Sequence, residues 1–170
     1  VVKRYPKLLK QTDDDGVTVL HSWMRIGKLW AFQRILKKDE FSTDIRKSFA
    51  MLLNIQTDDE GKNPLHVAAE SSADAGTDRI VQFLFDAIRK QGLSWAFIRA
   101  VEQRDRQGNT PVDIALSNRR EELALCLLRW SPTEVYRNCL FKAIDKQCHF
   151  VVKFILDRIH QHPQTAEYFL

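Results

Sequence analysis

Asp58 to Ala69 reads DDEGKNPLHVAA, and the change of character at Asn63 in this stretch decides the fold. A glycine behind a run of acidic residues suits a tight turn with a positive backbone dihedral, which Asp side chains close by accepting bonds from nearby amides. Asn63 then stands where a helix wants its N-cap, and Pro64 takes the first helical position, where a missing N–H costs little. Leu65 opens the apolar face. A turn running directly into a helix is predicted.

The same order of residues stands on both sides of this stretch. Asp13 to His21 reads DDDGVTVLH and Asp105 to Ala115 reads DRQGNTPVDIA, with Gly16 and Gly108 in the turn, Thr18 and Thr110 at the cap, and Leu20 and Val112 at the first apolar position. Pro111 repeats the proline, and Val19 replaces it in the first copy. A turn-then-helix unit that recurs in this way marks a protein of stacked units. The second half of each unit follows in register: Leu20 is succeeded by Ile35 and Leu36, Val112 by Leu127 and Leu128, and Leu140 by Ile155 and Leu156, all at one spacing. That register exposes a fourth, degenerate copy at Asn138 to Ile144, which lacks the glycine turn but keeps the apolar frame. In the second copy Leu84 arrives late, so Ser71 to Gly76 (SSADAG) reads as a solvent-facing insertion between its helices.

These residues resemble the ankyrin family, whose pattern Gly-x-Thr-Pro-Leu-His-x-Ala-Ala is nearly complete at Gly61, Pro64, Leu65, His66, Ala68 and Ala69. The resemblance covers roughly Gln11 to His160 and implies an all-α fold, an ankyrin-repeat solenoid of about four helix-turn-helix units with extra helical insertions. The units run over about 11–54, 55–101, 102–133 and 134–160; residues 1–10 read as the tail of a preceding helix or repeat and 161–170 as the start of a further segment. With Val1 rather than Met in first place, the chain reads as an excised piece of a longer protein. The family places a histidine where His21 and His66 stand, its ring bonding the turn of a neighbouring unit, so a structural role is expected for both rather than catalysis or metal binding. Asp113 replaces the histidine in the third copy and is expected to cap locally.

The intervals Gly16–Gly61 and Gly61–Gly108 exceed the usual period of about 33 residues, while Val112–Leu140 falls short of it. Most of the surplus lies in Asp39 to Asn54 and Gln91 to Glu102, where a Ser or Thr precedes apolar residues at helical spacing: Ile45, Phe49, Leu52 and Leu53, then Trp95, Ile98 and Val101. Thr43 to Leu53 and Ser94 to Val101 are therefore expected to be helical turns with Phe49 and Trp95 against the stack. Leu20, Leu36, Leu65, Leu84, Leu128, Leu140 and Leu156 are the expected core positions. Insertions in such proteins are also where binding loops collect.

Composition bounds the function. With 44% apolar and 28% charged residues in 170, the chain is ordinary for a globular domain. It has no run of about 18 apolar residues to span a membrane and no charged leader before an apolar stretch. Cys126, Cys139 and Cys148 lack metal-binding spacing and read as buried reduced thiols, which suits a cytoplasmic or nuclear location. The net charge of +4 is scattered, densest at Lys3, Arg4, Lys7 and Lys10, so no nucleic-acid contact is expected. No phosphate loop, zinc helix or nucleophile elbow occurs, and His149, His160 and His162 read as a solvated helix end; neither an enzyme nor a cofactor is expected.

The resemblance implies a non-enzymatic scaffold that binds a partner protein through its turn tips and concave helix face. Asp13, Asp14 and Asp15, then Asp58, Asp59 and Glu60, make the first two tips acidic, whereas Arg104 and Arg106 make the third basic on balance. The candidate contacts are the tip residues Asp14, Asp59, Asp105 and Arg106, with Arg25, Glu70 and Asn118 near the exposed ends of first helices. The partner would be a transcription factor or a signalling protein. Oversized units resemble the inhibitor-of-NF-κB class; the degenerate fourth unit resembles the cytosolic ankyrin region of a transient-receptor-potential channel; a bacterial effector module is the third option. The residues leave the three open.

Overall fold

The computed structural model describes residues 11–30, 43–71 and 76–161. Among them the chain is all-α, with helices α1 (Val19–Ile26), α2 (Thr43–Leu52), α3 (Pro64–Glu70), α4 (Gly76–Arg89), α5 (Ser94–Glu102), α6 (Pro111–Ser117), α7 (Glu121–Leu128), α8 (Thr133–Asp145) and α9 (His149–Gln161). No strand occurs among the described residues beyond an isolated bridge between Thr12 and Thr18. None of their helices is long and apolar enough to cross a membrane.

The helices form two layers. α1 packs on α3, α3 on α6 and α6 on α8, while α4 packs on α7 and α7 on α9. α2 and α5, which lie in the two surplus segments of the sequence, touch each other and both contact α4. The short α1, α3 and α6 would be marginal alone, so packing and capping must hold them. Thr18, Asn63 and Thr110 cap them in extended conformation, each with a reciprocal capping box, and Pro64 and Pro111 sit in the first turn as expected.

Leu20, Leu65, Leu84 and Leu128 are buried in one continuous core, and Leu140 is partly buried against it. Leu36 lies outside the described residues. Leu156 departs from expectation: it is 51% exposed, and the inward stripe of α9 runs through Val151 and Ile155 instead. Its counterpart Leu128 is buried because α9 covers α7. The inserted helices are also half as predicted. Phe49 is buried, but Trp95 is 55% exposed, because α5 turns Ala96, Phe97, Ala100 and Val101 inward and leaves Trp95 on the opposite side. Phe97 meets Phe85 edge-on at 4.8 Å, and Phe85 in turn stacks on Trp130 at 3.8 Å.

Three of the helices end alike. Gly27, Arg119 and Gln147 occupy matching positions after α1, α6 and α8 and all adopt the left-handed conformation, with φ of 67°, 55° and 59°. In the latter two the next residue reaches back over the helix end, Arg120 N to Ala115 O and Cys148 N to Ala143 O, both at 2.8 Å. Gly76 meets a different constraint: a Cβ there would stand 2.4 Å from the Gly27 carbonyl oxygen, so a side chain would push the start of α4 off the end of α1.

Candidate functional site

Three turn tips project before α1, α3 and α6, and each is closed by one backbone bond across its base: Asp13 N to Val17 O (3.1 Å), Thr57 N to Lys62 O (2.9 Å) and Asp105 N to Asn109 O (2.9 Å). Gly16, Gly61 and Gly108 have positive φ, as the sequence requires. Asp13 Oδ1 accepts from the amides of Asp15 and Val17, and Asp105 Oδ1 from those of Gln107 and Asn109. In the second tip this task falls to Thr57, whose hydroxyl accepts from Lys62 N at 3.1 Å. The second tip is thus one residue longer. Asp58, which the glycine spacing equates with Asp13 and Asp105, is displaced outward from the turn-closing position.

The tips are bonded to one another. Asp58 N donates to Asp15 O at 2.9 Å and Arg106 N to Glu60 O at 3.0 Å. The Arg106 guanidinium also donates to the Asp58 carbonyl. Asp13, Asp14 and Asp15 on the first tip, and Asp58, Asp59 and Glu60 on the second, are all exposed. The amide of Glu60 bonding to Asp59 Oδ1 at 2.7 Å holds the Asp59 carboxyl below its ordinary pKa, so it is firmly anionic at neutral pH. A shallow groove between the second and third tips is lined by Gln56, Thr57, Asp58, Arg104 and Arg106 among others.

Beneath the tips lies a row of buried polar groups. The amide of Thr18 donates to His21 Nδ1 at 3.0 Å, and that of Asn63 to His66 Nδ1 at 3.1 Å. In the neutral ring these bonds put the proton on Nε2, and Thr18 Oγ1 and Asn63 Oδ1 each stand 2.8 Å from the same Nδ1 atoms. From Nε2 His21 donates to Lys62 O at 3.0 Å and His66 to Asn109 O at 3.1 Å. Each histidine therefore fastens its own helix start to the following turn, the structural role expected of it. Burial pushes both pKa values below the ordinary 6.5. Asp113 takes over the local half of this task, accepting from Thr110 N at 2.9 Å, and meets Lys142 at 3.3 Å.

The candidate residues fall into two groups. Asp14, Asp59 and Arg25 are exposed. Asp105 is not: only 6% exposed, it is spent on closing its own turn, and its second oxygen has no hydrogen-bond partner among the described residues. Its place as an exposed tip contact is corrected accordingly. Arg106 is exposed but clasps the second tip. Glu70 pairs with Lys62 at 2.6 Å, and Lys62 also meets Glu60 at 2.9 Å. Burial opposes the Lys62 charge, but the bonds to Glu70 and then Glu60 outweigh it and raise its pKa. Asn118 donates to Ala69 O at 3.0 Å, tying the end of α6 to the end of α3.

Two clusters were invisible in the residue pattern. In the first, Asn54 Nδ2 reaches Ala96 O at 2.9 Å, Asn63 Nδ2 reaches Ala100 O and Gln103 Oε1 at 2.7 Å each, and Gln103 Nε2 reaches Asn54 O at 3.1 Å. These amides lash α5 to α3 and to the end of α2. In the second, Arg120 donates to the carbonyls of Ala68 and Ser71 and pairs with Asp78 at 2.5 Å. Burial keeps the Asp78 pKa above its ordinary value even so.

The three cysteines are buried and unbridged, and burial pushes the Cys126 and Cys139 thiols up to about 12. Among the described residues no group of three or more His, Cys, Asp or Glu is placed to hold a metal. No protein-family model matches the chain, and no curated protein matches it. The chemistry on offer along the tips is charge and hydrogen bonding.

Proposed function

We propose that this chain is an ankyrin-type solenoid of about four units and that it serves as a protein-binding scaffold, seating a basic segment of a partner protein on its first two tips. The observation that carries the reading is the Asp58 N to Asp15 O bond, which joins two tips bearing six exposed carboxylates into one ridge. A fixed array of like charge attracts an opposite partner from a distance and orients it on arrival. Of the other candidates Asp105, Glu70 and Asn118 are engaged within the molecule and Arg106 clasps the second tip, which leaves Arg25 as the exposed alternative. The three caps, the two histidine links and the two-layer stacking support the ankyrin part of the reading.

The test is binding of a Lys/Arg-rich peptide, with a neutral peptide of equal length as control, to the chain and to its Asp14→Lys plus Asp59→Lys variant. Binding should weaken and association slow, most at low salt, with the melting temperature nearly unchanged because both side chains are exposed. Unchanged affinity would overturn the tip reading. An effect confined to Arg25, Glu70 or Asn118 would move the site to the concave helices.

A further inference from the structure

We propose that the third tip carries, at Gln107 and Gly108, a docking seat for an acidic segment of a partner protein, which takes there the place that a following tip takes on each of the first two.

The two existing joints define the seat. Asp58 N donates to the carbonyl of Asp15 and Arg106 N to that of Glu60, and in both cases the acceptor is the residue just before the tip glycine. Each donor residue also lies across that glycine: a Cβ on Gly16 would stand 3.2 Å from the Asp58 carboxyl carbon, and one on Gly61 3.1 Å from Arg106 Cγ. These glycines therefore serve twice, through a positive φ and through a bare face on which the next tip rests. Gln107 and Gly108 repeat the arrangement without an occupant. Gly108 has φ of 82°, and among the described residues a Cβ on it would meet nothing within 4 Å and no donor reaches the Gln107 carbonyl. The cause is internal to the stack. The chain passes from α7 to α8 through Arg129 to Pro132, without a glycine turn, so the fourth unit has no tip to lay on the third.

Charge at the seat selects the occupant. The Asp105 carboxylate is drawn inward onto its own amides, which leaves Arg104 and Arg106 as the exposed charges of the third tip. Arg104 stands at the seat itself: its guanidinium donates to the Gly108 carbonyl oxygen at 2.7 Å and keeps further N–H groups for a ligand. A partner segment whose backbone N–H meets the Gln107 carbonyl brings its side chain across Gly108, beside that guanidinium, where a carboxylate gains a charge-assisted bond. A lysine or arginine there would meet a like charge. The seat is separate from the acidic ridge of the first two tips, so this inference and the reading of that ridge stand or fall independently.

The experiment is a titration of the isotope-labelled chain with a short Asp/Gly peptide, followed by amide NMR shifts, with an Asn/Gly peptide of equal length as control. Saturable shifts centred on Gly108 and Asn109 are expected with the Asp/Gly peptide alone. Binding should weaken at least about tenfold in Arg104→Gln and in Gly108→Asn. Asparagine tolerates a left-handed φ, has room for its Cβ at this position and leaves the net charge unchanged, so the second variant separates a filled seat from general attraction to a basic chain. Circular dichroism checks that both variants keep their helix content, and Arg104→Gln decides alone should Gly108→Asn not fold. The Lys/Arg-rich peptide should bind Gly108→Asn as it binds the parent. Absence of saturable shifts at Gly108 and Asn109, an equal response to the Asn/Gly peptide, or undiminished affinity in the folded variants would each overturn the proposal.

Discussion

His66 and Asn109 lie 43 residues apart in the chain, yet Nε2 of the one meets the carbonyl oxygen of the other at 3.1 Å. The bond requires a proton on Nε2, which in the neutral ring leaves Nδ1 to accept the Asn63 amide. A second proton, on Nδ1, would displace that amide and turn to Asn63 Oδ1, 2.8 Å away, and it would put a charge in a buried site.

Stability should therefore depend on pH through His21 and His66. Both have folded pKa values lowered from 6.5, so on acidification the unfolded chain takes up protons first. Their contribution is fully present above pH 6.5 and is lost as pH falls below it toward the lower folded values. Urea unfolding at several values between about pH 7 and pH 5 should show falling stability, and replacing both histidines by Gln should flatten that slope. An equally steep slope in the double variant would assign the effect to other groups.

Asn63 should resist replacement even by threonine, the cap residue at α1 and α6. Its Oδ1 caps α3, bonding Leu65 N and His66 N, while its Nδ2 serves Ala100 and Gln103. Asn63→Thr keeps the cap and orphans the buried Ala100 carbonyl, a loss of about 1–3 kcal/mol, and Asn63→Ala should lose roughly 1 kcal/mol more with the cap. Amide exchange in α5 should quicken in both. Unaltered exchange there would mean that the amide bridge is not holding that helix.

Two leucines of the same sequence frame should answer differently to alanine. Leu65 is 1% exposed, and Leu65→Ala should cost about 2–5 kcal/mol. Leu156 is 51% exposed, and Leu156→Ala should cost under about 1 kcal/mol in dilute solution. Chemical denaturation of the two variants side by side would reverse the assigned register of α9 if their order were inverted.

Gln147 adopts φ of 59°, where the matching residue after α1 is glycine. Gln147→Gly should raise stability by roughly 0.5–1 kcal/mol, since relief of left-handed strain exceeds the entropy that glycine adds to the unfolded chain. A lowered melting temperature would show that contacts of the Gln147 side chain outweigh its backbone strain.

What the residue order revealed was local chemistry. Gly16, Gly61 and Gly108 as turn residues, Thr18, Asn63 and Thr110 as caps, and the two inserted helices were all legible, because each is dictated by neighbours within a few positions. The all-helical character followed from the same signals. Asp105 was misjudged because a polar turn residue looks exposed in sequence, whereas here its carboxylate folds inward onto its own amides. Trp95 and Leu156 were misjudged because helical spacing gives the period of a buried stripe but its phase depends on which neighbour arrives. The amide bridge of Asn54, Asn63 and Gln103 had no sequence signal, since single polar residues meeting across three helices share no spacing. The extra residue in the second tip hid behind a well-placed glycine.

The bonds between turns and helix pairs also set the order in which the molecule can be assembled. His21 reaches 41 residues ahead, His66 43 and Asn118 back 49, and the longest of the side-chain links described, from Arg120 to Ala68, closes 52. None of these joins the first tip to the last helix. A chain emerging from the ribosome can thus dock each helix pair on its predecessor as soon as the following turn appears, with no early segment waiting for a distant partner. Wiring confined to nearest neighbours makes vectorial synthesis and folding run in the same direction.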